Sequence, residues 1–148
     1  MRLAKDFREF VALLNSNHVE YVIVGGYALA FHGAPRYTGD IDILVRRSPE
    51  NAARLETSLA TFGFGSVGIS AKDFLEEGQI VQLGYPPHRI DILTSISGVS
   101  FDEIWERRVH SDMEGLPVDF IDRQSFITNK RATGRTKDKA DVEALPGE

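Results

Sequence analysis

The chain has 148 residues, 42% hydrophobic and 26% charged, which is the size and balance of one globular domain with its own core. It has no cysteine, so disulfides, zinc–thiolate centres and thiol nucleophiles are excluded. A net charge of −5 excludes a global basic field for gripping long nucleic acid. The start, Met1-Arg2-Leu3-Ala4-Lys5-Asp6, lacks an apolar signal core, and no run approaches membrane-spanning length. A single cytoplasmic domain over residues 1–148, with no membrane partner, is the expectation.

Phe7, Phe10, Val11 and Leu14 recur at helical spacing and predict an amphipathic helix over about 4–16. Tyr21-Val22-Ile23-Val24 reads as a short buried strand. Gly25-Gly26 ends it, and a helix begins at once through Tyr27–His32, stopped by Gly33-Ala34-Pro35. A loop then enters a strand over Asp40–Val45. Ser48-Pro49-Glu50 has the form of a helix start, with Ser as cap and Pro at the first helical position. Gln79–Leu83 and Arg89–Leu93 alternate like strands joined by a hairpin-like connection. Ser100-Phe101-Asp102-Glu103 resembles a capping box ahead of a helix with Ile104 and Trp105, and Phe101 and Trp105 are expected in the core. A short strand over Val118–Ile121 and two helices, near 123–132 and 136–145, complete the chain. The expected fold is α/β (α+β), with a mostly antiparallel or mixed sheet and helices packed on it.

Chemistry concentrates in Gly39-Asp40-Ile41-Asp42-Ile43 and Arg89-Ile90-Asp91-Ile92. Alternate side chains of a strand share a face, so Asp40 and Asp42 point together while Ile41 and Ile43 enter the core. Asp91 is flanked by isoleucines in the same manner. If the two strands are neighbours, three carboxylates converge. Such a cluster suits hard divalent cations, typically Mg²⁺, and two ions about 3.5–4 Å apart can clamp both oxygens of a phosphoryl displacement.

Gly25-Gly26 could let backbone N–H groups approach a phosphate, or could be a plain tight turn. Arg36 and Thr38 lie in the loop before Asp40; Arg36 could contact phosphate, orient Asp40 or pair with a surface acid. Arg89 shares a face with Asp91 and could screen the acids. Lys130 and Arg135 flank a Gly134 break, within reach of a triphosphate, while Asp138 and Asp141 share a helix face and could aim them. Taken alone, that stretch reads equally as a solvated helix with surface ion pairs. The four histidines show no metal-ligand spacing.

Together, Val24-Gly25-Gly26-Tyr27-Ala28-Leu29, Arg36-Tyr37-Thr38-Gly39-Asp40-Ile41-Asp42 and Arg89-Ile90-Asp91-Ile92 resemble the DNA polymerase β-type nucleotidyltransferase superfamily. With Lys130 and Arg135-Thr136-Lys137-Asp138-Lys139-Ala140-Asp141, the chain looks closest to small bacterial relatives of abortive-infection (AbiEii-type) toxins. The resemblance implies a mixed sheet of about four or five strands with helices on one side. It implies that Asp40 and Asp42 hold two Mg²⁺ ions, with Mn²⁺ as a substitute. Asp91 would ligate the second ion and help deprotonate an acceptor hydroxyl. Gly25 and Gly26 would cradle the β- and γ-phosphates of an NTP donor, and Lys130 would contact its triphosphate. Many relatives carry Ser directly after the first Gly, where this chain has Gly26.

The implied reaction is transfer of a nucleoside monophosphate to an acceptor hydroxyl on RNA (a tRNA end in toxin relatives), protein or a small molecule. A homodimer or cognate partner protein would compensate for the small size. The alternatives are a nucleotide-binding or toxin–antitoxin partner without catalysis, and a two-metal phosphohydrolase.

Overall fold

The computed structural model describes residues 3–35, 37–65, 68–85 and 87–147. Six strands form one mixed sheet: β1 (Tyr21–Val24), β2 (Asp40–Val45), β3 (Ile80–Leu83), β4 (Arg89–Leu93), β5 (Val109–Met113) and β6 (Leu116–Phe120). Their order across the sheet is β3-β4-β2-β1-β6-β5. The helices are α1 (Lys5–Ser16), α2 (Gly25–Phe31), α3 (Pro49–Leu59), α4 (Phe101–Arg107), α5 (Arg123–Thr133) and α6 (Thr136–Ala144). None of them is long and apolar enough to cross a membrane.

The strands at the centre are those with the most continuous apolar sequence, as burial on both faces requires. All four residues of β1 are buried. It runs antiparallel to β2 and parallel to β6, while β2 runs parallel to β4. Ile41, Ile43, Ile90 and Ile92 enter one apolar cluster with Phe7, Phe10, Val11 and Leu14 of α1 and Leu55 of α3. The local starts follow their caps: Ser48 accepts the Asn51 N–H at 3.2 Å ahead of Pro49, and Ser100 accepts the Glu103 N–H at 3.2 Å.

Two expectations need correction. The sheet has six strands where four or five were expected, and β5 is the unforeseen one. It is an edge strand whose Val109-His110-Ser111-Asp112-Met113 carries few apolar residues, so alternation gave little signal. Its turn to β6 is made by Glu114 (φ 52) and Gly115 (φ 82), both left-handed as a two-residue type I′ hairpin requires. Phe101 and Trp105 are half-buried on helix α4, packed against the margin of the core rather than inside it. They stack at 5.6 Å, and guanidinium groups cover them, with Arg46 4.8 Å from the Phe101 ring centre and Arg108 3.6 Å from that of Trp105.

Candidate active site

The parallel pairing of β2 and β4 sets Asp42 beside Asp91 and Asp40 beside Arg89. The antiparallel pairing of β1 and β2 brings Val24 opposite Asp42, so the turn after β1 lands on that carboxylate. Gly25 there has φ +68, and a Cβ on it would lie 2.1 Å from Asp42 Oδ2. Only a glycine lets the backbone approach so closely. A Cβ on Gly26 would lie 2.9 Å from both Cβ and Oγ1 of Thr38, whose hydroxyl donates to the Asp40 carbonyl at 3.0 Å. The space a serine at position 26 would need is therefore taken by Thr38, which presents a hydroxyl of its own there.

Arg89 holds the acids in register. Its Nε donates to Asp91 Oδ1 at 2.7 Å, and its Nη2 donates to Asp91 Oδ2 at 3.1 Å and Asp40 Oδ2 at 3.0 Å. Asp91 is buried beneath this fork, with a side chain 11% exposed against 35% for Asp40. Asp42 has no ion-pair partner among the described residues. Burial pushes its carboxyl up to about 6, with further upward contributions from Asp91 and Asp40, and Lys130 opposes the shift.

No group of three or more acids or histidines among the described residues is gathered to hold a metal as it stands. Arg89 explains this, because it occupies the space between Asp40 and Asp91. The residues nevertheless fit a hard divalent cation. Asp40 and Asp42 both face the cleft, and one or two carboxylates are the usual protein share of a Mg²⁺ site. The Asp42 charge, disfavoured where it sits, is the kind of group a cation relieves.

The cleft has a volume of about 350 Å³ and runs from Gly25, Gly26, Thr38, Asp40 and Asp42 to Lys130, Arg135 and Lys137. Gly134 at the end of α5 (φ +70) turns the chain so that α6 returns against α5. Asp138, with a side chain 2% exposed, then accepts from Thr133 Oγ1 at 2.6 Å, Arg135 Nε at 2.7 Å and Lys130 Nζ at 3.3 Å. Burial by itself would raise the Asp138 carboxyl, but these donors hold it below the usual range.

The contribution of Asp138 to stability is thus present above the ordinary carboxylate range and lost as pH falls through its lowered value. Asp138→Asn leaves Lys130 without its counter-charge and is expected to cost about 2–4 kcal/mol in urea unfolding at pH 7. The gap from wild type should narrow below about pH 4. A gap independent of pH would show that the carboxylate charge is not what stabilises the turn.

The cleft thus unites Gly25, Gly26, Thr38, Asp40, Asp42, Lys130, Arg135 and Asp138. Asp91 adjoins it under Arg89, and Asp141 is buried on α6 outside the lining. Arg36 lies outside the described residues. Sequence reasoning missed Asn129, which donates to the Ser97 carbonyl at 2.9 Å and so fixes the 95–97 loop as a cleft wall. It also missed Thr133. Thr133 stands three residues from Lys130 and four from Asn129, and that helical spacing was the available signal.

The sequence model of a protein family described as "Nucleotidyltransferase of unknown function (DUF6036)" matches residues 1–145. No curated protein matches the chain. Among solved structures, a protein from Thermotoga maritima provisionally described as a nucleotidyltransferase superposes with a TM-score of 0.61 at 14% identity, covering 92% of this chain and 87% of that one. An antigenic nucleotidyltransferase-like protein from Paracoccidioides brasiliensis superposes with a TM-score of 0.52 at 17% identity, covering 98% and 76%. At such identities these two likenesses speak for the fold.

Proposed function

Since the chain belongs to this family of nucleotidyltransferases of unknown function, we propose that it moves a nucleoside monophosphate from an NTP to an acceptor hydroxyl with the help of Mg²⁺. The observation that carries this reading is the seating of the Asp42 carboxylate against Gly25 in a cleft that also holds Lys130, Arg135 and Lys137. Acids suited to a cation and cations suited to a polyphosphate share one space.

Asp40 and Asp42 would hold the first ion, and Asp91 would join a second once the Arg89 guanidinium withdraws. Bound Mg²⁺, or Mn²⁺ in its place, supplies charge neutralisation at the reacting phosphate. The N–H groups of Gly25 and Gly26 and the Thr38 hydroxyl would face the β- and γ-phosphates. The acceptor oxygen forms a bond to the α-phosphorus as the bond to the bridging oxygen breaks. The hydroxyl proton passes to Asp91 and then to water, and pyrophosphate leaves against Lys130 and Arg135.

The test is label transfer from each α-labelled NTP with Mg²⁺, using RNA, protein and small-molecule fractions as acceptors. Label should move with wild type and not with Asp42→Ala. Lys130→Ala should lower kcat/KM by about 10- to 100-fold; an unchanged value would remove Lys130 from the phosphate site.

A second reading is a nucleotide-binding or toxin–antitoxin partner without catalysis. The Arg89 fork favours it, since that fork already satisfies both oxygens of Asp91. Thermal stabilisation by Mg²⁺–NTP with no label transferred to any fraction would select it. The narrower kinship with AbiEii-type toxins is part of the proposal and rests on the Gly25-Gly26 turn and the Arg135-Thr136-Lys137-Asp138 segment.

A further inference from the structure

Two exposed aromatic rings stand beside the cleft without lining it. Tyr37 and Tyr85 are 81% and 87% exposed, against 58% for Ile80, the next most exposed large apolar side chain among the described residues. Tyr37 lies on the loop entering β2, just ahead of Asp40, and Tyr85 on the hairpin entering β4, just ahead of Arg89. Because β2 and β4 are parallel neighbours with Asp40 opposite Arg89, both loops leave the sheet at the same end. The loops also touch: a Cβ on Gly39 would lie 2.2 Å from the Pro87 carbonyl oxygen and 3.3 Å from the Tyr37 hydroxyl.

One exposed tyrosine is ordinary; two on touching loops at the acid end of a cleft form a surface. An in-line displacement brings the attacking oxygen in opposite the leaving pyrophosphate. If pyrophosphate leaves toward Lys130 and Arg135, the acceptor arrives from the acid end, where the tyrosines stand.

We infer that Tyr37 and Tyr85 stack the unpaired terminal nucleotides of a nucleic-acid strand and deliver its 3′-hydroxyl to the site. The inference rests on the transfer reading above and names its acceptor. Rings on short loops suit flat bases, which stack on aromatic side chains irrespective of sequence. A net charge of −5 limits the contact to the strand end, because a duplex is held through many cationic phosphate contacts.

The experiment is fluorescence anisotropy of short 5′-labelled single-stranded RNA and single-stranded DNA, and of the corresponding blunt duplex, in Mg²⁺ with a non-transferable NTP analogue. Wild type should bind the single strands more tightly than the duplex, and the RNA and DNA arms report which sugar is preferred. Tyr37→Ala and Tyr85→Ala should each weaken single-strand binding by about 5- to 100-fold, while Tyr85→Phe keeps it. Failure of wild type to bind either single strand, or alanine variants that bind as wild type does, overturns the inference.

Thermal stabilisation by Mg²⁺–NTP separates the two readings. Tyr85→Ala should retain it. Its absence in wild type, with tyrosine-dependent strand binding intact, would defeat the transfer reading alone. Label entering only protein or a small molecule would defeat the acceptor inference alone.

Discussion

Asp42→Asn should lower nucleotidyl transfer by at least about 10³-fold while making the metal-free protein more stable. The loss follows from removing one of the two β2 acids that face the cleft. The gain follows from the Asp42 carboxyl, which burial and the neighbouring Asp91 push from 3.8 to about 6. Between those values the folded chain carries a proton that the unfolded chain has released. Wild-type stability therefore falls as pH rises from about 4 to 6 and stays lower above that window. Asparagine carries no charge to bury, so its advantage should be absent below about pH 4 and reach about 3 kcal/mol at pH 7. Thermal melts of both proteins at pH 4, 5 and 7 without metal check this. Mg²⁺ should raise the wild-type Tm and leave that of Asp42→Asn nearly unmoved. A variant that is less stable at pH 7 would mean that the carboxylate is satisfied without a cation.

The second large effect belongs to Gly25→Ala. The left-handed φ of +68 costs an L-residue about 1–2 kcal/mol, and the new methyl would stand 2.1 Å from Asp42 Oδ2, far inside contact distance. Asp42 must then leave its place or the β1–α2 turn must open. The expected result is about 2–4 kcal/mol lower stability and transfer reduced by at least about 100-fold. Gly26→Ala should cost less, because the methyl meets the Thr38 side chain, which can turn. A double-mutant cycle isolates the cause. In an Asp42→Ala background, Gly25→Ala should lose most of the overlap cost and retain the backbone cost. Equal costs in both backgrounds would show that the approach to Asp42 is immaterial.

These two residues mark how far the sequence could be read. The alternation of Ile with Asp in 40–43 and 90–92 announced which face each side chain takes, because the two-residue period of a strand leaves no other choice. The Gly25-Gly26 turn and the Ser48 and Ser100 caps were legible for the same reason: each depends on chemistry within a few residues. Edge strand β5 was not legible, because a strand with one face in water and a polar sequence has no apolar alternation to detect. Phe101 and Trp105 looked like core residues, because hydrophobicity predicts burial and not the Arg46 and Arg108 guanidinium groups that cover them instead.

The sequence by itself determined the local elements, the shared face of Asp40 and Asp42, and the family that its motifs indicated. Only the tertiary structure decided that β2 and β4 are parallel neighbours in the register that sets Asp42 against Asp91 and Asp40 against Arg89. The same holds for the Arg89 fork over the acids, for Asp138 drawing Lys130 and Arg135 together, and for the touching Tyr37 and Tyr85 loops. Strand period, capping and turn formation depend on neighbours a few residues apart. Register and charge pairing join residues far apart in the chain, 49 positions for Arg89 and Asp40 and 97 for Ile23 opposite Phe120. Such contacts are selected by the packing of the whole sheet and leave no periodic trace in the chain.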